Sequence, residues 1–232
     1  MLAQNLNDVR QLLNNAARAP DRPPPRLLAV AKSQSAAAVA ELAAAGQCAF
    51  GENYVQEAAA RRTELAALDP AAAGLEWHLI GHLQSNKARD AAALFDWVQT
   101  VDREKLVAAL ARHRRGDQLP LNVLIQVNID DETSKHGCAP DAIAGLARAV
   151  AAAPALRLRG LMAIPAPSPE SRRRRDAFRR MRACFDELQR VHPHIDTLSM
   201  GMSEDFPLAI AEGATMVRVG RALFGARPGK AG

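Results

Sequence analysis

"RLLAVAKSQ", residues 26–34, carries five apolar residues in succession, Leu27 to Ala31, straight into Lys32, after which the chain turns polar. A short apolar run of this kind, with the breaker "PDRPPP" (20–25) before it, reads as a strand buried on both faces. An ammonium group at the mouth of a core strand loses hydration unless something uses it. A barrel of such strands, with its chemistry at the strand ends, is the arrangement in which Lys32 makes sense.

Outward from this stretch the same unit repeats in kind. Short apolar runs lie at 26–31, 48–50, 76–81, 97–101, 121–129, 156–164, 197–202 and 216–220. Between them, segments 35–46, 53–68, 86–94, 103–115, 140–153, 170–191 and 204–212 have helical composition. Strand and helix alternate through eight strands, which argues a parallel sheet with crossover helices. Eight such units in 232 residues match the size of an α/β TIM (β/α)8 barrel. Leu2, Leu6, Val9, Leu12 and Leu13 recur at helical spacing and add one helix in front. A doubly wound open sheet is the competitor, and it lacks a GxGxxG after the first strand. The expected organisation is one domain over residues 1–232.

Bulk composition narrows the classes. Hydrophobic residues make up 48% of the chain and aromatics only 4%, so the core is aliphatic and rich in alanine. The formal charge of +5 permits attraction to anions without choosing one. Cys48, Cys138 and Cys184 are odd in number and show neither CxxC nor metal spacing, which fits reduced thiols and predicts no metal site. The N-terminal stretch has no long apolar segment, and no run of about twenty apolar residues occurs anywhere. A cytoplasmic protein off the membrane is expected. The run "RRRRDAFRR" (172–180) reads as the wet face of a helix whose buried stripe is Phe178, Met181, Phe185 and Leu188. With no aromatic stacking platform beside it, nucleic-acid binding is not expected.

The unusual residues gather where strands end. Lys32, desolvated near other cations, would have a lowered pKa and an amine able to form a Schiff base, with a sugar phosphate or with pyridoxal phosphate (PLP); an ion pair with Glu52 is the plain alternative. "SMGMSEDF" (199–206) and "VRVGRALFG" (217–225) follow the seventh and eighth strands, the usual phosphate site of such barrels, although a helix capped by Ser203 explains the first equally. Arg218 between Val217 and Val219 needs a partner, either a structural carboxylate or a ligand. Asn53 caps a helix or meets a ligand. His78 and His82 read as structural, because a pair four apart suits a metal only on a helix. Lys135 in "DETSKHG" reads as an exposed loop lysine rather than a second aldehyde site.

Taken in order, "AVAKSQ", "FGENYVQE", "WHLIGHLQSNK", "RGLMAIPAP", "LSMGMSEDF" and "VRVGRALFG" resemble the pyridoxal phosphate homeostasis protein family, from about residue 1 to residue 227. The resemblance implies an alanine-racemase-like barrel of PLP fold-type III without the C-terminal β domain. It implies PLP as cofactor, held as an aldimine on Lys32. Asn53 matches the asparagine near the cofactor ring, and Met200 and Ser203 the phosphate loop. Arg218 matches the arginine near the pyridine nitrogen, and Gly220 and Arg221 the loop whose backbone holds phosphate.

Racemases of this fold place one base on each face of the substrate. The chain ends at Gly232 shortly after the eighth strand, so a second-domain tyrosine is not expected, and Tyr54 is its only tyrosine. The expectation is therefore a PLP carrier or buffer, a monomer with no catalytic residue, serving apo PLP-dependent enzymes. The alternatives are a weak amino-acid racemase using Tyr54 or His82 as the second base, and a Schiff-base aldolase without PLP.

Overall fold

The computed structural model describes residues 1–17, 23–132 and 135–225. Eight parallel strands close into a barrel: β1 (Arg26–Val30), β2 (Ala49–Glu52), β3 (Glu76–Leu79), β4 (Trp97–Val101), β5 (Leu121–Val127), β6 (Leu156–Ala163), β7 (Thr197–Met202) and β8 (Met216–Val219). The first and last strands pair directly, Ala29 with Val219, so the sheet has no free edge. The expected barrel is the observed one.

The helices follow in turn: α1 (Leu2–Ala16) before the barrel, then α2 (Ala36–Ala44), α3 (Val55–Leu68), α4 (Ala88–Leu94), α5 (Glu104–His113), α6 (Ile143–Ala151), α7 (Ser171–Val191), α8 (Phe206–Ala211) and a short α9 (Arg221–Phe224). Local signals set their ends. Ser35 Oγ accepts from the Ala38 N–H at 3.1 Å and starts α2. Along α7, Phe178, Met181, Phe185 and Leu188 are all buried, as their spacing predicts. Each contributes about 1.5–3 kcal/mol of burial. In α1, Leu6, Val9 and Leu13 face inward, whereas Leu12 is exposed. Asn5 Nδ2 donates to Leu223 O at 2.8 Å and fastens α1 over α9. Part of the predicted connector, 20–22, lies outside the described residues.

Apolar packing divides into two shells. One fills the space between strands and helices. The barrel interior holds two small clusters, Leu28–Ala49–Met216 and Trp97–Leu124–Met162. Between these clusters the interior is polar, with His78, Gln99, Ser199 and Arg218 buried on four different strands. No helix among the described residues is long and apolar enough to cross a membrane.

Candidate functional site

Beyond the C-terminal ends of the strands lies a cavity of about 740 Å³. Its wall includes Lys32, Lys135, Arg174, Arg218 and Arg221 against the carboxylates of Glu204 and Asp205. Five cations facing two carboxylates favour an anionic ligand. The carboxylates are also committed elsewhere. Asp205 Oδ1 accepts from the Met202 N–H at 2.7 Å, and Glu204 pairs with Arg221 at 2.8 Å across the rim. Arg174 Nε is buried without a hydrogen-bond partner on this wall, so a donor is left over for a ligand.

Lys32 follows β1 by two residues and is half-buried. The next residue, Ser33, takes φ 63°, a left-handed turn that only Asp131 shares among the described non-glycine residues. A brace from outside the barrel holds this turn. Glu52 is fully buried, and its Oε1 accepts from Arg61 Nε at 2.6 Å. Burial pushes the Glu52 carboxyl up, and the Arg61 charge offsets that rise only in part. Arg61 also donates to the Gln34 carbonyl, two residues past Lys32. The partner that sequence alone offered to Lys32, Glu52, is thus engaged by Arg61.

Arg218 is fixed from beneath. Its Nη1 donates to Ser199 Oγ at 2.7 Å and its Nη2 to Ala163 O at 2.8 Å. Burial lowers its pKa to about 10, which leaves it a cation at neutral pH. The column continues down the barrel axis. Ser199 Oγ donates to Gln99 Oε1 at 2.7 Å. Gln99 Nε2 donates to His78 Nδ1 at 2.8 Å. His78 Nε2 then carries the proton and donates to Glu76 Oε1 at 2.6 Å, where Arg26 also donates. Burial keeps His78 neutral by lowering its pKa. Burial alone would raise Glu76, but its bond to His78 and the charge of Arg26 hold it down at about 2. Each donor in the column points toward the Glu76 carboxylate, so the bonds polarise one another in one direction.

The phosphate-like corner is built by β7 and β8. Gly201 has φ +90°, and a Cβ there would stand 2.6 Å from Ala209 Cβ, so only glycine lets the loop pack onto α8. Ser203, Gly220 and Arg221 share the cavity wall. A helix begins with N–H groups that lack partners inside it, and α9 begins at Arg221. The cap of α8 is Asp205, not Ser203, which frees the Ser203 hydroxyl from that duty.

Residues 2–228 match the alanine racemase N-terminal domain family. The pyridoxal phosphate homeostasis protein of Escherichia coli (strain K12) is 50% identical over 228 residues, covering 97% of both chains. The chain belongs to this family. The structure of PipY from Synechococcus elongatus PCC7942 with PLP bound is 38% identical, with a TM-score of 0.83 over 97% of this chain and 100% of that one. Alanine racemase from Corynebacterium glutamicum is 21% identical, with a TM-score of 0.69, and shares the fold; this chain spans 62% of it.

Within the family's barrel, the structure brings Lys32, Ser203, Arg218, Gly220 and Arg221 to one cavity. Asn53 lies after β2 on the wall of a smaller neighbouring pocket, with Tyr54 and His82. Met200 is fully buried in the helix-facing shell, and its side chain does not line the cavity. Two wall residues differ from their sequence reading. Lys135 is not a plain exposed loop lysine: its Nζ donates to Pro165 O at 2.8 Å and it lines the cavity. Arg174 belongs to the arginine run that reads as a wet helix face, yet it turns inward. A polar residue one turn from the buried stripe of α7 was the only available sign.

Proposed function

We propose that this protein binds pyridoxal 5'-phosphate in the cavity and serves PLP homeostasis as a carrier without turnover of its own. The observation that carries this reading is the meeting of Lys32 and the buried, axially braced Arg218 on one cation-lined wall. Names of the relatives support it. The size of the cavity, its surplus of cations and the unpartnered Arg174 Nε fit a phosphorylated ligand. When bound, the cofactor supplies an aldehyde that condenses reversibly with an amine. Lys32 is that amine. Ser203 and the N–H groups at Gly220 and Arg221 hold the phosphate. Arg218 would donate to the ring nitrogen and, as a cation, would disfavour its protonation, which limits the chemistry to modest demands. Asn53 would meet the ring's phenolic oxygen from the neighbouring pocket, and Met200 would act only through the backbone of its loop.

The racemase alternative needs a second base. Tyr54 and His82 line the smaller pocket instead. Lys135 acts as a donor to two carbonyls, which suits an ammonium rather than a base. We further place the protein in the cytoplasm as a monomer that passes PLP to apo enzymes. The three free thiols are consistent with a reducing compartment.

The test is α-proton exchange. The PLP-loaded protein and Lys32→Ala are incubated with a panel of amino acids in heavy water, and loss of the α-hydrogen is followed by NMR. The expected result is a protein-bound PLP absorbance that Lys32→Ala loses, with no exchange above that of free PLP. Lysine-dependent exchange at about 1 per second or faster, an enzyme's range, would overturn the carrier reading. An unchanged spectrum in Lys32→Ala would overturn the role of the lysine.

A further inference from the structure

Across the mouth from the PLP cavity, the loops after β3, β4 and β5 bring together His82, Asp102 and His136. One ligand-capable atom from each lies within 4.8 Å of the other two. The two imidazoles stack with ring centroids 3.6 Å apart and planes 14° from parallel. His82 Nδ1 stands 3.9 Å from Asp102 Oδ2. The other carboxylate oxygen, Oδ1, is held by Arg103 at 2.5 Å, so the group is oriented with one oxygen turned to the histidines.

The backbone that carries the two histidines is pinned. Carbonyls on both sides of His82 are taken: Gly81 O accepts from Thr100 Oγ1 at 2.9 Å and Leu83 O from Arg103 Nη2 at 2.9 Å. His136 O accepts from Gln126 Nε2 at 3.0 Å. Gly137, next in the chain, has φ +125°, and a Cβ there would stand 2.6 Å from Asn128 N. Cys138 then donates from its N–H to Gln126 O at 2.9 Å. Only side-chain torsions remain to be set, and both histidine side chains reach solvent.

We propose that His82, Asp102 and His136 bind a divalent transition metal ion of the zinc type. Ligand atoms about 2 Å from a tetrahedral ion stand about 3.3 Å apart, so closure requires the two imidazoles to turn out of their stack until a nitrogen of each converges on the ion beside the Arg103-held carboxylate. Two imidazoles and a carboxylate suit a borderline ion such as Zn²⁺ or Ni²⁺ and leave a fourth position for water. Imidazole binds metal in its neutral form. The bound ion ties three consecutive barrel loops together, one residue along the chain from Lys135 on the cavity wall.

The experiment is calorimetric titration of the PLP-loaded protein with zinc chloride in a non-coordinating buffer. Cobalt(II) absorption serves as a second readout. We expect one equivalent bound, with the affinity falling at least about tenfold in His82→Asn and in His136→Asn, as loss of a ligand requires. The circular dichroism and melting temperature of both variants stay unchanged and report that they are folded. His192→Asn/His194→Asn, which removes the other histidine pair, and Cys48→Ser, which removes the exposed thiol, retain the site. Absence of zinc binding, binding that survives His82→Asn/His136→Asn, or binding lost in either control variant would overturn the proposal.

Discussion

Ser199→Ala cuts the axial column at the link beneath Arg218. It removes the acceptor of Arg218 Nη1 and the donor to Gln99 Oε1, both at 2.7 Å and both buried. Each orphaned group costs about 1–3 kcal/mol, and a water in the vacated space recovers part of it, so the loss is about 2–4 kcal/mol. At about 2–4 °C per kcal/mol for a chain of this size, the melting temperature falls by about 5–15 °C. Gln99→Met keeps the shape and orphans His78 Nδ1 and the Ser199 hydroxyl, at a similar cost of about 2–4 kcal/mol. The double variant leaves two orphans, Arg218 Nη1 and His78 Nδ1, rather than the four that the single variants leave between them. It should therefore be less destabilised than the sum by about 2 kcal/mol. Urea unfolding of the PLP-free proteins measures all three, and PLP titration reports whether Arg218 keeps its place. Additivity within about 0.5 kcal/mol would refute the view that these residues form one connected support.

Three further expectations follow from the same geometry. Arg61→Met leaves Glu52 as a buried charge without its partner and frees the Gln34 carbonyl; it should cost about 3–5 kcal/mol in urea unfolding and speed PLP release, and Glu52→Gln added to it should recover stability. Gly201→Ala forces a Cβ against Ala209 at a positive φ and should cost at least about 2 kcal/mol, with PLP retention weakened in gel filtration. Glu76 has a folded pKa of about 2 against an ordinary value of 4.5. Because the shift is downward, its contribution, at most about 3 kcal/mol, is fully present above pH 4.5 and disappears as pH falls toward 2; Glu76→Gln should flatten that part of the stability–pH curve, and an unchanged curve would contradict the assignment.

The strands were legible because each is buried on both faces and bounded by turn residues. β4 and β7 run over the residues their apolar pattern marks. The apolar run at 48–50 falls short of β2, because Gly51 and Glu52 look like loop. Glu52 belongs in the sheet since its charge meets Arg61 from α3, a contact that local patterning does not express. Lys32 and Arg218 stood out as charges in apolar runs. Their supports did not: Gln99 and Ser199 are modest polar residues in different strands, a hundred positions apart, and only barrel closure joins them. An inward-facing polar residue on each of β3, β4, β7 and β8 was the available sign. Lys135 and Arg174 were lost among solvent-facing charges, because a flexible side chain's direction is set by packing rather than by spacing. The histidine–aspartate group after β3–β5 lies on three separate loops and could not be assembled from any one motif.

The pairing of β1 with β8 also sets an order in time. Lys32 leaves the ribosome early and Arg218 near the end, so the cavity wall is finished only when the eighth strand zips against the first. Until then the growing sheet has two unpaired edges, at β1 and at its newest strand, and no complete binding wall. A ligand of this cavity therefore recognises finished barrels and ignores nascent ones. By mass action it strengthens the one seam that synthesis closes last.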